Sequence, residues 1–325
     1  MTIKDVAKRA QVSIATVSRV INNRGYLSDN VKAKVASAME ELDYHPNDLA
    51  RSLHSQKSWL LGLIVPSVSH PFFGEITKCI EGYAYEQGYK VLICNSLQES
   101  EKERDYIAML KRSQVDGIIM GSHTLETGDY QGLQFPLISL DRELASDIPY
   151  VCCDNYQGGE LAANCLIEKG CRNVIHISGS LAVPMLSNKR TEAFIDVCKA
   201  AGITYHCFEM PDSLVVNLGE EESITGILTM QRECDGLFAT SDITAAKAVN
   251  IALAMGRRVG TDFKVIGFDD NIVSGLMTPR LSTIRQPVDL IGRYAVEYLV
   301  RMIHGETVPT KTTLPVQLIE RETTR

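Results

Sequence analysis

The sequence predicts a small all-α helix-turn-helix head joined by a short hinge to an α/β body of two doubly wound parallel-sheet lobes. Three observations carry this. The first 45 residues show only helical apolar spacing, and from Trp59 onward apolar runs of about five residues alternate with helical stretches. The stretch Val115-Asp116-Gly117-Ile118-Ile119 is also echoed about 120 residues later by Cys234-Asp235-Gly236-Leu237-Phe238, as though the body contained two similar halves.

In the head, Ile3, Val6, Ala7 and Ala10 recur at the spacing of one helix face. Gln11-Val12 forms the turn, and Ser13 is an N-cap for a second helix from Ile14 to Asn22, with Val17, Val20 and Ile21 inward. Asn22-Asn23-Arg24-Gly25 ends it, and Ser28 or Asp29 caps a third helix with Val31, Val35, Ala38, Met39 and Leu42 on one face. Two helices joined by three or four residues match the helix-turn-helix plan. Spacing alone leaves open a small helical subdomain that meets no nucleic acid.

Charge bears on that choice. Through Lys34, seven Lys/Arg oppose two acids, a net +5, which leaves −12 for the rest of a chain whose total is −7. A basic head on an acidic body is expected where only the head meets a polyanion. Pro46 stops the third helix and Asn47 can cap a new one, but Asp48 to His54 is too short to be a stable helix alone. Leu49 and Leu53 lie four apart, suited to meeting a partner subunit's hinge and the floor of a DNA groove. The boundaries predicted are 1–45 for the head, 46–58 for the hinge and linker, and 59–325 for the ligand-sensing core. Within the core, 59–156 and 288–320 form the N-lobe and 157–287 the C-lobe.

The body's apolar runs are Leu61–Val65, Lys90–Cys94, Gly117–Met120, Leu137–Leu140, Tyr150–Cys153, Val174–Ser178, Thr204–Phe208, Gly236–Ala239 and Lys264–Phe268. Strands apolar on both faces and separated by helices indicate parallel sheets covered by helices. Such sheets bind ligands beyond the carboxyl ends of their strands, so two facing lobes hold a ligand between them.

Several classes are excluded. The apolar fraction of 45% against 22% charged residues is that of a globular chain. No apolar segment reaches membrane length and no signal-peptide core follows Met1, so a cytoplasmic protein without a membrane partner is expected. Nine scattered cysteines are an odd number without zinc or redox spacing, and are read as buried free thiols with no metal and no cofactor. No phosphate loop, Gly-x-Ser-x-Gly elbow or His-rich metal motif is present, and neighbouring Asp269 and Asp270 point apart, so an enzyme is not expected.

These residues carry a family likeness. The run Thr2-Ile3-Lys4-Asp5-Val6-Ala7-Lys8-Arg9-Ala10, with Val12-Ser13 and Thr16-Val17-Ser18-Arg19-Val20-Ile21-Asn22, resembles the head signature of bacterial repressors of the lactose/galactose repressor family. Tyr44-His45-Pro46-Asn47, Ala50-Arg51-Ser52-Leu53, Leu61-Gly62-Leu63-Ile64-Val65-Pro66, Gly267-Phe268-Asp269-Asp270 and Leu281-Ser282-Thr283-Ile284-Arg285-Gln286-Pro287 extend the likeness along the chain. Arg24-Gly25-Tyr26-Leu27-Ser28, Cys94-Asn95-Ser96, Glu103-Arg104-Asp105-Tyr106 and Asp154-Asn155-Tyr156-Gln157-Gly158-Gly159 look most like sucrose-operon repressors.

The resemblance implies a periplasmic-binding-protein-like body, a homodimer on a pseudo-palindromic double-stranded operator, and a small sugar as effector. It places Ser13, Thr16 and Ser18 at the DNA backbone or in helix capping, Asn22 among the DNA-binding residues, and Leu53 as a wedge in the minor groove. From the residues themselves, Arg19 can pair with guanine O6 and N7, while Ile14 and Ala15 offer only apolar contact. In the sugar cleft, Phe72 and Phe73 offer an aromatic face, and Asp141, Arg142, Asp242 and Asp269 stand at strand ends. Arg190 and Gln286 complete that set by resemblance, while Asp270 is read as structural. A transport-type sugar-binding protein shares the two-lobed body, and a repressor sensing a phosphosugar or nucleobase shares the whole build. The short stretch after the last predicted strand holds no heptad pattern, so a dimer rather than a tetramer is expected.

Overall fold

The computed structural model describes residues 1–21, 25–44, 57–130, 135–211 and 219–325. The chain divides into two compact units, Met1–Ser58 and Trp59–Arg325. In the first, α1 (Ile3–Ala10), α2 (Ile14–Ile21) and α3 (Asp29–Glu41) enclose Val6, Ala7, Ala10, Val17, Val35 and Ala38. Asp5 accepts from the backbone N–H and hydroxyl of Thr2 at 2.8 and 2.9 Å, which closes the start of α1 and holds the Asp5 carboxyl below its ordinary range. Gln11 takes the left-handed conformation that ends this helix. The hinge residues Leu49 and Leu53, and Asn22, lie outside the described residues.

The second unit carries strands β1 (Leu60–Val65), β2 (Lys90–Asn95), β3 (Gly117–Met120), β4 (Leu137–Leu140), β5 (Tyr150–Cys153), β6 (Asn173–Ser178), β7 (Thr204–Glu209), β8 (Gly236–Ala239), β9 (Lys264–Asp269), β10 (Ser282–Arg285), β11 (Lys311–Leu314) and β12 (Gln317–Ile319). Between them run α4 (Pro71–Glu86), α5 (Ser100–Arg112), α6 (Thr127–Tyr130), α7 (Asn155–Glu168), α8 (Lys189–Ala201), α9 (Glu221–Met230), α10 (Asp242–Ala254), α11 (Ile272–Leu276) and α12 (Val288–Ile303). Two six-stranded sheets result, ordered β11-β5-β4-β3-β1-β2 and β12-β10-β9-β8-β6-β7. Among the described residues all strand pairings are parallel except that of β12 with β10. Central strands such as β3, β4 and β8 are buried on both faces because helices cover both sides.

The chain passes between lobes three times, and two passages correct the predicted boundaries. Helix α7 packs on α8 and on β8, β10 and β12, so the first passage lies at Asp154, before the predicted end of the N-lobe at 156. Helix α12 returns to α4, β3, β4 and β5. After β11 the chain leaves again, and Gln317–Ile319 pairs with the edge of β10 in the second lobe, so residues up to 320 do not all belong to the first. The pairing satisfies backbone groups that the β10 edge otherwise leaves open. All nine cysteines are free, but Cys79 is half-buried and Cys207 exposed, against the expectation of uniform burial. Cys207 lies on β7, an edge strand covered on one face only.

Candidate effector cleft and DNA-binding head

The strand order places the carboxyl ends of β1, β4, β5, β6, β8, β9 and β10 around one cavity of about 240 Å³ between the lobes. Phe72 and Phe73 reach it from the first turn of α4, edge to face at 5.2 Å, with His70 against Phe73 at 5.6 Å. Asp141 follows β4, Ser178 ends β6, Asp269 ends β9 and Gln286 follows β10. Asp141 and Asp269 hold φ of 59° and 118°, backbone conformations that L-residues rarely adopt and that point to a local constraint at the cleft.

Arg190 organises the polar wall. Its Nε donates to Asn155 Oδ1 at 2.7 Å, its Nη1 donates to the Thr240 carbonyl at 3.0 Å, and its guanidinium lies 3.6 Å over the Phe268 ring. Asn155 Nδ2 in turn donates to Asp141 Oδ1 at 2.8 Å, so one amide links the two lobes' charges. Two glycines permit this approach: a Cβ on Gly159 would stand 2.3 Å from the Arg190 carbonyl oxygen, and one on Gly158 would stand 2.6 Å from Phe268.

The cleft carboxylates are shifted upward. Burial raises Asp269 to about 7 against the opposing pull of Arg190, and it raises Asp141 as well. Asp269 Oδ1 accepts from Gln286 Nε2 at 2.7 Å, whereas Oδ2 is buried without a partner. His123, pushed down to about 4 by burial, donates from Nε2 to the Leu140 carbonyl at 2.6 Å and leaves Nδ1 unpartnered. Ser178 Oγ and His70 Nδ1 are likewise buried without partners in the cavity wall. Native proteins pair nearly all such atoms, so this concentration marks a place where a ligand or water completes the bonding.

Of the eight predicted ligand residues, Phe72, Phe73, Asp141, Arg190, Asp269 and Gln286 come together here. Arg142 and Asp242 do not. Arg142 is buried and donates from Nη1 to the carbonyls of His123 and Leu125 at 3.2 and 3.0 Å, pinning the loop that carries His123. Buried Glu103 holds the same loop by accepting from Ser122 Oγ and Thr124 Oγ1. Asp242 turns into the second lobe, accepting from Thr283 Oγ1 at 2.5 Å and from the Asn271 N–H at 2.8 Å, in space kept open by the missing side chain of Gly267. Sequence reasoning missed His123, Asn155, Ser178 and Thr191. His123 obeys the rule that picked Asp141, a polar residue just beyond an apolar strand.

In the head, Ser13 Oγ accepts from the Thr16 N–H at 3.0 Å and lies 2.8 Å from the Thr16 hydroxyl, so both side chains serve the start of α2. Ile14, Ala15 and Arg19 are exposed, Thr16 and Ser18 half-buried, and Val17 is fully buried. The Arg19 guanidinium lies beside Gly25, where an added Cβ would stand 2.6 Å from Nη2. An exposed arginine among exposed small and apolar residues on one helix face is chemically suited to a DNA groove.

Two family models match: the bacterial regulatory proteins of the lacI family over residues 2–47, and the periplasmic binding protein-like domain over residues 163–324. The chain is 41% identical to the sucrose operon repressor of Pediococcus pentosaceus, covering 98% of each. It is 36% identical to the ribose operon repressor of Halalkalibacterium halodurans, covering 100% of this chain and 97% of that one. The Lac repressor dimer bound to operator and the anti-inducer ONPF superposes with a TM-score of 0.88 at 26% identity, covering 100% and 99%. No helix among the described residues is long and apolar enough to cross a membrane. By its head, its two-lobed body and its likeness to these regulators along the whole length, the chain belongs to the lacI family of bacterial regulatory proteins and is not an enzyme.

Proposed function

We propose that the protein is a cytoplasmic transcription repressor that binds a pseudo-palindromic operator as a homodimer and changes its operator affinity when a small sugar enters the cleft. The observation that carries the sensing half is the cleft wall: an arginine, two raised carboxylates, an aromatic pair and several unpartnered polar atoms around one cavity. Such a wall offers planar polar partners for hydroxyls and an aromatic face for a weakly apolar ring. Phe72, Phe73, Asp141, Arg190, Asp269 and Gln286 are the proposed sugar contacts. Ser13, Ile14, Ala15, Thr16, Ser18, Arg19, Asn22 and Leu53 are the proposed DNA contacts, and Leu49 and Leu53 the proposed contacts between hinges.

The likeness to sucrose and ribose operon repressors favours control of sucrose or another carbohydrate. The head matched to regulatory proteins weighs against a transport-type sugar-binding protein. Coupling between cleft and head is worth typically ~1–3 kcal/mol, or roughly 5–150-fold in operator affinity. Titrating the full chain onto its own promoter fragment with and without sucrose, D-fructose and D-ribose tests this. A change within that range for one sugar is expected, and no change for any of them refutes the sensing half. Arg19→Ala is expected to weaken operator binding at least tenfold; unchanged binding refutes the reading of α2.

A further inference from the structure

The proton of one cleft-wall hydroxyl is placed by a ring that lies outside the cavity lining. His176, on β6, is fully buried between Phe194 at 5.0 Å and Phe238 at 4.8 Å. Its Nδ1 lies 3.1 Å from the Phe238 carbonyl oxygen, which can only accept, so Nδ1 carries the hydrogen. Burial lowers this imidazole to about 4, leaving it neutral and Nε2 bare. Thr191 Oγ1 lies 2.9 Å from that Nε2, so the hydroxyl spends its single proton inward. Thr191 lines the cavity, and toward it the hydroxyl offers lone pairs alone.

One other wall atom reaches the same state independently: His123 Nε2 donates to the Leu140 carbonyl, leaving a bare Nδ1. Thr191 and His123 thus both present acceptors to the cavity. Arg190 is the one Lys or Arg among the described lining residues; it faces Asp141 and Asp269 and already holds Asn155 and Thr240. A second cation is what this wall lacks, since its one guanidinium stands against two carboxyls. A phosphate ester would bring about two negative charges and three acceptor oxygens to it.

We infer that His176 is a specificity-determining positioning residue: by holding the Thr191 hydroxyl as an acceptor, it makes the cleft select uncharged, hydroxyl-rich sugars and reject their phosphate esters. The inference rests on the sugar-sensing reading and names the ligand class of that site. Calorimetric titration of the full chain with D-fructose, sucrose and D-ribose, each beside fructose 1-phosphate, fructose 6-phosphate and ribose 5-phosphate, separates the two. A free sugar binding at least tenfold more tightly than its ester supports the inference. An ester binding as tightly as its parent overturns it and leaves the sensing repressor standing, whereas no binding by any of the six sinks both.

His176→Phe keeps the aromatic stack but frees the Thr191 hydroxyl to turn its proton outward. The preferred sugar is expected to lose about five- to tenfold in affinity, with the sugar-to-ester ratio narrowing. A uniform loss with an unchanged ratio overturns the role given to His176. Should that variant fail to fold, Thr191→Ser is expected to retain sugar affinity and Thr191→Val to lose about tenfold; equal binding by both overturns the acceptor role of the Thr191 hydroxyl.

Discussion

Replacing Arg190 by methionine keeps much of its length and removes the cation between two buried carboxylates. Four contributions go at once: the bonds to Asn155 and the Thr240 carbonyl, the stack over Phe268, and the charge opposing Asp141 and Asp269. Each hydrogen bond contributes ~1 kcal/mol and the stack ~0.5–2 kcal/mol. Stripping a buried ion of its partner costs ~3–5 kcal/mol, and because all of these share one side chain, ~3–5 kcal/mol is also the expected total. At roughly 2 °C per kcal/mol for a unit of this size, Tm at pH 8 falls by roughly 6–10 °C relative to the parent. At pH 5.5 the loss shrinks to about half, because burial already raises both carboxyls and without the arginine they take up protons instead of remaining charged. Thermal unfolding of both proteins at the two pH values measures the difference. An equal loss at pH 5.5 and pH 8 refutes the argument that Arg190 balances these carboxylates.

Acid should weaken the parent protein by a separate route. His70, His123 and His176 are lowered by burial to about 4, so below about 6.5 the unfolded chain binds protons that the folded chain refuses, and stability is lost as the pH falls toward 4. Asp141, Asp242 and Asp269, all raised by burial, act oppositely by becoming easier to keep as their charges are removed. Comparing His176→Phe with the parent isolates one ring: from pH 6.5 to 5 the parent should lose ~1–2 kcal/mol more than the variant, roughly 2–4 °C in Tm. The same change in Tm for both proteins contradicts the buried neutral state of His176. Gly159→Ala drives a methyl into the Arg190 carbonyl, so α7 and α8 must separate, at a cost of ~1–3 kcal/mol and a measurable loss of sugar affinity. Gly226→Ala, on α9 with nothing within 4 Å of an added Cβ, is the control and should gain ~0.5–1 kcal/mol. Parallel chemical denaturation of the two variants checks both signs.

Much of the architecture was legible because the relevant signals are local. The helices of the head were legible in the spacing of Val6, Ala7, Ala10 and Val17, and nine of the twelve strands among the described residues in continuous apolar runs. The three missed strands had no such pattern. Those of β10 are buried but polar, with Ser282 and Thr283 satisfied by Thr323, Thr324 and Asp242 from distant segments. Strands β11 and β12 are short, half-exposed edges. The site was legible only in part for the same reason. A strand-end rule names Asp141, Arg142, Asp242 and Asp269 alike, and nothing local reveals that Arg142 serves a loop and Asp242 the second lobe's interior.

By itself the sequence determined the basic head, the parallel αβ texture and the family, since composition, periodicity and contiguous motifs survive in one dimension. Which side chains meet in the cleft, which carboxylates are raised and where each imidazole keeps its proton were decided only by the tertiary structure. Those properties depend on burial and on partners tens to hundreds of residues away, such as Phe238 for His176 and Asn155 for Arg190, and no window of the sequence contains both ends of such a bond.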